Sequence, residues 1–113
     1  MQTKSDLKEG VKFDEDKTRY DLVPTYPLEQ LAKVYTYGAK KYADHNWRKG
    51  IKFSRIYSAI LRHLEAIRNG ELVDPESGLP HAAHAALGCF SLIQYTKPGN
   101  SLIQFNDLYP EDK

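Results

Sequence analysis

Residues 54–96 read SRIYSAILRHLEAIRNGELVDPESGLPHAAHAALGCFSLIQYT, two helical patterns divided by a loop rich in turn residues. In the first, Ile56, Ile60, Leu64 and Ile67 recur at three- and four-residue steps and are joined by Tyr57 and Leu61. That is the spacing of one buried face of an α-helix. Ser54 is suited to cap its start and Gly70 to stop it. The loop GELVDPESGLP follows, and Pro80 suits a helix opening because its missing N–H would have no intrahelical partner there. HAAHAALGCFSLIQYT then directs Ala82, Ala85, Ala86, Cys89, Phe90 and Ile93 inward. Its small residues let a neighbouring helix approach closely, and KPGN ends it.

Upstream, PLEQLAKVYTYGAKKYA repeats the helical pattern with Leu28, Leu31, Ala32, Tyr35, Ala39 and Tyr42 on one face. Pro27 is the expected first residue of this helix. Gly38 either sits inside it for close packing, at a cost of about 1 kcal/mol relative to Ala, or breaks it. DHNWRKGIK is a polar loop. The first two dozen residues mix charges closely and show no helical period, so they read as an arm with a short extended piece at Arg19 to Val23. The end, SLIQFNDLYPEDK, holds enough apolar residues to dock on the domain or on a second subunit. The expected fold is all-α: a small bundle of about three main helices in a single domain spanning 1–113. Its parts are an arm at 1–24, a helical core at 25–96 and a tail at 97–113.

The 113 residues allow one hydrophobic core and not two ordinary domains. With 41% hydrophobic residues the composition is that of a globular chain. No apolar run approaches a bilayer span, and MQTKSDLKEG lacks the apolar region of a secretion signal. The lone Cys89 cannot form an intrachain disulfide. A cytoplasmic setting without membrane contact is expected. A formal charge of +1 argues against general nucleic-acid binding. The distribution is uneven, however. Lys40, Lys41, Arg48, Lys49, Lys52 and Arg55 face only Asp44 in sequence, whereas Glu65, Glu71, Asp74 and Glu76 cluster around Arg68. One stretch suits phosphate and the other a cation.

Two constellations carry possible chemistry. His81 and His84 project from one helical face about a turn apart, and His63, seven residues beyond Ile56, lies on the inward face of the preceding helix. If the two helices pack antiparallel, these imidazoles converge with Asp74 and Glu76 from the loop. Such a mixed histidine and carboxylate set suits manganese, zinc or iron, and also admits magnesium. The competing account is that the histidines pack in the core and satisfy one another while Asp74, Ser77 and Gly78 make a turn. In YGAKKYADHNWRKG, Lys40, Lys41, Arg48 and Lys49 can donate to phosphate, Tyr37, Tyr42 and Trp47 offer flat faces for a base, and Asn46 can read a base edge. A solvated basic face with core-anchored aromatics is the alternative. In the arm, Lys17 and Arg19 either pair with neighbouring acids or fold over the pocket.

Taken in order, KFDEDKTRYDLVP, LEQLAKVYTYGAKKYADHNWRKG and RHLEAIRNGELVDPESGLPHAAHA resemble the N-terminal domain family of phage dATP/dGTP diphosphohydrolases, relatives of the MazG-like all-α nucleoside triphosphate pyrophosphohydrolases. The resemblance covers roughly positions 10 to 96. It implies metal-dependent hydrolysis of a purine deoxynucleoside triphosphate to monophosphate and pyrophosphate, with a divalent magnesium or manganese cofactor, in phage nucleotide metabolism and hence in a host cytoplasm. MazG-like enzymes hold metal with ExxE on one helix and ExxD on the next. The matching positions here are His63 with Ala66, and His81 with His84, which makes Asp74 and Glu76 the natural substitutes for the missing carboxylates.

The resulting expectation places a divalent cation on His63, His81, His84 and Asp74, with Glu76 and Asp74 as catalytic carboxylates and Glu76 as the base that orients water. Lys40, Lys41, Arg48 and Lys49 neutralise phosphate, Asn46 and Trp47 hold the base, and Lys17 and Arg19 close the site. Three short helices and an apolar tail predict a homo-oligomer. The alternative function is a binding protein that sequesters a nucleotide or nucleotide-derived signal without hydrolysing it.

Overall fold

The computed structural model describes residues 7–109, so the first six residues of the expected arm and the last four of the tail lie outside the described residues. Three helices dominate: α1 (Thr25–Lys41), α2 (Phe53–Arg68) and α3 (His81–Tyr95). Between α2 and α3 a two-stranded antiparallel hairpin pairs β1 (Val73–Asp74) with β2 (Leu79–Pro80), Val73 opposite Pro80 and Asp74 opposite Leu79. The fold is therefore the small, mostly helical bundle that the apolar periods predict. No helix among the described residues is long and apolar enough to cross a membrane.

Helices α2 and α3 form an antiparallel hairpin, and α3 is also the helix against which α1 packs. Phe53, Ile56, Ile60, Ala85 and Tyr95 make one buried cluster, with Trp47, Ile51, Leu92, Leu102 and Phe105 packed against it. Burying each large member contributes about 1.5–3 kcal/mol. Gly88 lets α2 approach α3 closely, since a Cβ there would lie 2.5 Å from Ile60 Cγ1. The Phe53 and Tyr95 rings meet at 5.8 Å near the other end, and the Tyr95 hydroxyl donates to the Trp47 carbonyl at 2.6 Å. That bond fixes the short 3₁₀ turn Asn46–Lys49 to α3.

Helix α2 ends as Gly70 predicts. With φ +95°, Gly70 donates to Ile67 O, and Glu71 donates to Ala66 O. These two bonds satisfy the last carbonyls and turn the chain into the hairpin. Its start differs from expectation: Lys52 precedes the helix and Ser54 sits in the first turn. There the Ser54 backbone N–H and hydroxyl both donate to the Asp107 carboxylate, at 2.8 and 2.6 Å. A carboxylate from the tail thus satisfies an orphan donor that a local cap would have taken. The tail docks through Leu102 and Phe105, and Gly50 is pressed against the Phe105 ring.

Other expectations need correction. Helix α1 begins at Thr25, two residues before Pro27, and runs through Gly38, whose absent Cβ would meet nothing within 4 Å. Its buried residues are Leu31 and Val34, whereas Leu28, Ala32 and Tyr42 are exposed. On α2, Tyr57, Leu61 and Leu64 face outward. On α3, Ala82, Cys89, Phe90 and Ile93 are exposed while His81, Ala83, Ala85, Gly88, Ser91 and Tyr95 are buried. An almost wholly apolar helix offers two possible inward faces, and contact with Ile60 selects the one carrying Gly88. The arm is not extended at Arg19 to Val23 but turns in a 3₁₀ segment at Tyr20–Leu22.

Candidate functional site

The chemistry gathers where α2 ends, the hairpin turns and α3 begins. Antiparallel pairing sets His63 opposite the first turn of α3, and its Nδ1 lies 2.8 Å from the Nδ1 of His81. His81 is buried, and its Nε2 lies 2.7 Å from Glu71 Oε1. A carboxylate only accepts, so a neutral His81 keeps its proton on Nε2 and aims the Nδ1 lone pair at His63. His84 stacks on His63 with ring centroids 4.7 Å apart and planes inclined by 9°. Its Nε2 is 2.7 Å from Ser77 Oγ and 3.6 Å from Asp74 Oδ2.

Asp74 occupies this place because the hairpin is bent around it. Its Oδ1 accepts from the Glu76 N–H at 2.9 Å, and its carbonyl accepts from the Gly78 N–H at 2.7 Å. Gly78 takes φ +73°, which a side chain would resist. Donor atoms of His63, Asp74 and His81 all lie within 4.8 Å of one another. Two imidazoles and a carboxylate match the donor types of first-row divalent ions, and Glu71 behind His81 is the outer carboxylate that often orients a ligating histidine. These donor types suit manganese better than magnesium, and His84, the fourth expected ligand, is not in this group.

Burial holds the His63 and His84 rings below the ordinary imidazole value, and at His63 the neighbouring imidazoles add to the effect. Neutral rings are the form that ligates metal. Glu76 is differently engaged. Its Oε1 accepts from Lys41 Nζ at 2.7 Å and from the Tyr37 hydroxyl at 2.9 Å. These bonds push Lys41 up to about 12 and hold the Glu76 carboxyl below its usual range. These two bonds tie the hairpin carboxylate to α1.

The remaining expected residues divide. Lys41 reaches the acidic hairpin, and Tyr37 comes with it, its ring meeting His84 edge-on at 6.1 Å. Lys40, Arg48 and Lys49 are exposed, and Arg48 lies over the Trp47 ring at 5.2 Å. Asn46 and Trp47 are half-buried in the turn that Tyr95 secures. Lys17 and Arg19 do not cover the hairpin: Lys17 lies in a cleft that the arm makes from its own residues, and Arg19 forks onto Asp21 with two 2.7 Å bonds. Sequence reasoning overlooked Glu71 as a partner of His81 and Ser77 as a partner of His84. The carboxylate-rich loop was the available signal for the first.

The family described as dATP/dGTP diphosphohydrolase, N-terminal, matches residues 8–104. A dATP/dGTP diphosphohydrolase of Salmonella phage PMBT28 is 39% identical over 79 residues, covering 70% of this chain and 27% of that protein. The chain thus corresponds to about a quarter of the length of this relative. No solved structure matches it.

Proposed function

Since the chain belongs to the dATP/dGTP diphosphohydrolase N-terminal family, we propose that it hydrolyses a purine deoxynucleoside triphosphate to monophosphate and pyrophosphate at the His63, Asp74 and His81 cluster. The observation that carries this reading is the chain of contacts from Glu71 through His81 to His63, with Asp74 beside it. A buried histidine held by a carboxylate on one nitrogen, with a second histidine and Asp74 beside the other, is an arrangement common around bound metal and supports this reading. His63, His81 and Asp74 would hold the divalent ion, and His84 and Ser77 flank them. A divalent ion in such a site neutralises phosphate charge and makes water more acidic.

The protein's own groups do the rest. Asp74 beside the ion, and Glu76 as the base, would orient the water. Lys41 is poised on Glu76 at the edge of the cluster, where it would meet an incoming phosphate chain, and Lys40, Arg48 and Lys49 extend the positive field. The natural setting of this activity is phage nucleotide metabolism in a host cytoplasm. The chain is also read as a homo-oligomer, because Tyr57, Leu61 and Leu64 form a second apolar stripe on α2 that faces outward at 44–48% exposure. Light scattering that returns only a monomer would remove that part.

The test is incubation of the purified chain with each deoxynucleoside triphosphate and manganese or magnesium, with the products separated by chromatography. Monophosphate and pyrophosphate from dATP or dGTP are expected, and both should disappear on chelation and in His81→Ala and Asp74→Asn. Triphosphates left intact under both metals would withdraw hydrolysis from this chain.

A further inference from the structure

A second recess lies along α3, away from the histidines, and none of its functions is assigned by the reading above. Tyr35 of α1, Trp47 of the 3₁₀ turn, and Phe90, Ser91 and Gln94 of α3 line a half-open recess of about 190 Å³. Three of the five walls are aromatic. Phe90 is 49% exposed, so its ring is open to a ligand in the recess. The Tyr95 bond to the Trp47 carbonyl and the packing of Trp47 on the core hold the indole in place without a ligand. Such a slot is preorganised, so filling it costs little ordering.

Its polar edge is limited. The Ser91 hydroxyl already donates to Leu87 O at 3.2 Å, which leaves its oxygen as an acceptor. The exposed Gln94 side-chain amide has no hydrogen-bond partner among the described residues, and it offers one donor group and one acceptor. A flat, mostly apolar ring with a donor and an acceptor on one edge complements this lining. Adenine presents that pair at N6 and N7, which a glutamine amide meets with two bonds, whereas guanine presents acceptors at O6 and N7 there.

Position supports the same ligand. Ser91 follows His84 by seven residues, which returns it to nearly the same side of α3 after two turns, a rise of about 10 Å. Tyr37 meets the ring of His84 and Tyr35 lines the recess beside Ser91, so α1 flanks both places. A deoxyribose and its phosphate chain span such a separation, with phosphates toward Lys41 and the histidines.

We propose that the recess between Tyr35, Trp47 and Phe90 is a purine-base slot, with Gln94 as the residue that reads the base edge. The assignment rests on the nucleotide reading above but not on hydrolysis.

Trp47 is the chain's single tryptophan, so its fluorescence reports occupancy of the slot directly. The probes are dAMP, dGMP, dCMP and TMP titrated with chelator present, and inorganic phosphate as a control. Quenching by dAMP, weaker quenching by dGMP, and little by the pyrimidines or phosphate is expected. Gln94→Leu should weaken dAMP binding by about five- to tenfold, the loss of one or two net hydrogen bonds, and Phe90→Ala should weaken both purines together. Both side chains are exposed, so neither variant should unfold the protein.

Equal quenching by all four monophosphates, or indifference to Gln94→Leu, would overturn Gln94 as the base reader. Hydrolysis of dATP with no change at Trp47 for any probe would overturn the slot and leave the catalytic reading standing. Purine-selective quenching without hydrolysis would keep the slot and overturn the catalytic reading instead.

Discussion

The α2–α3 hairpin and the segment before it, the arm with α1, are built on opposite terms. In the hairpin, residues far apart in sequence depend on one another: Phe53 meets Tyr95, Ile60 fills the space that Gly88 leaves, and His63 meets His81. In the arm every described residue from 7 to 24 is exposed, and the clearest side-chain contact, Arg19 to Asp21, spans two positions. Helix α1 is intermediate, burying only Leu31 and Val34 and reaching the hairpin through Tyr37 and Lys41. The difference teaches where substitutions will be felt. Long-range packing concentrates stability and the histidine cluster between Phe53 and Tyr95, while local pairing leaves the arm replaceable.

The sharpest way to break this contrast is Ile60→Ala. It empties the centre of the α2–α3 contact and should cost about 2–5 kcal/mol in denaturant unfolding. A loss below about 1 kcal/mol would mean that the hairpin is not the stable half. Gly88→Ala should cost about 1–3 kcal/mol, because the new methyl must push Ile60 aside. A double variant Gly88→Ala with Ile60→Ala that costs less than the two single losses added together would locate the strain at this one contact.

Acid should loosen the hairpin before it affects the arm. In the metal-free protein His63 and His84 titrate below their unfolded value of 6.5. The unfolded chain therefore binds protons first as pH falls. Their contribution is whole above about pH 6.5 and declines as pH drops from there through the lower folded values. Melting temperature should fall over that range, and a divalent ion should oppose the fall by competing with protons. A flat profile between pH 7 and 5 would contradict the half-buried, neutral rings of His63 and His84. At the small end, Arg19→Ala should leave the unfolding midpoint within error, since the pair it breaks is fully in solvent.

Much of this fold could be read from periodicity. The existence of the three helices, the stop at Gly70 and the carboxylate-rich turn follow from residue spacing and from backbone preferences that act locally. What spacing could not supply was the inward face of α3. Ala82, Ala83, Ala85, Ala86 and Cys89 are all small enough to be buried, so hydrophobicity does not discriminate among them. The same limit hid the cap of α2, where Asp107 is more than fifty residues from Ser54.

The candidate site was legible in part for the same reason. His63, His81, His84 and Asp74 stand out as residue types that bind cations, and helical geometry brings them near one another once the helices are antiparallel. Their partners were not legible. Nothing along the chain ties Glu76, the expected base, to Lys41 and Tyr37, or Glu71 to His81. The purine slot draws on Tyr35, Phe90, Ser91 and Gln94, which as isolated residues carry no signal of binding.

Neighbours along the chain set the three helices, their breaks, the polar turn between the last two, and the histidines on facing sides. Packing between the helices chose the inward face of α3, the carboxylate that supports a histidine, the one held by a lysine, and the gap between the aromatic rings. Those outcomes depend on contacts between distant residues, and their energies arise only when the helices meet.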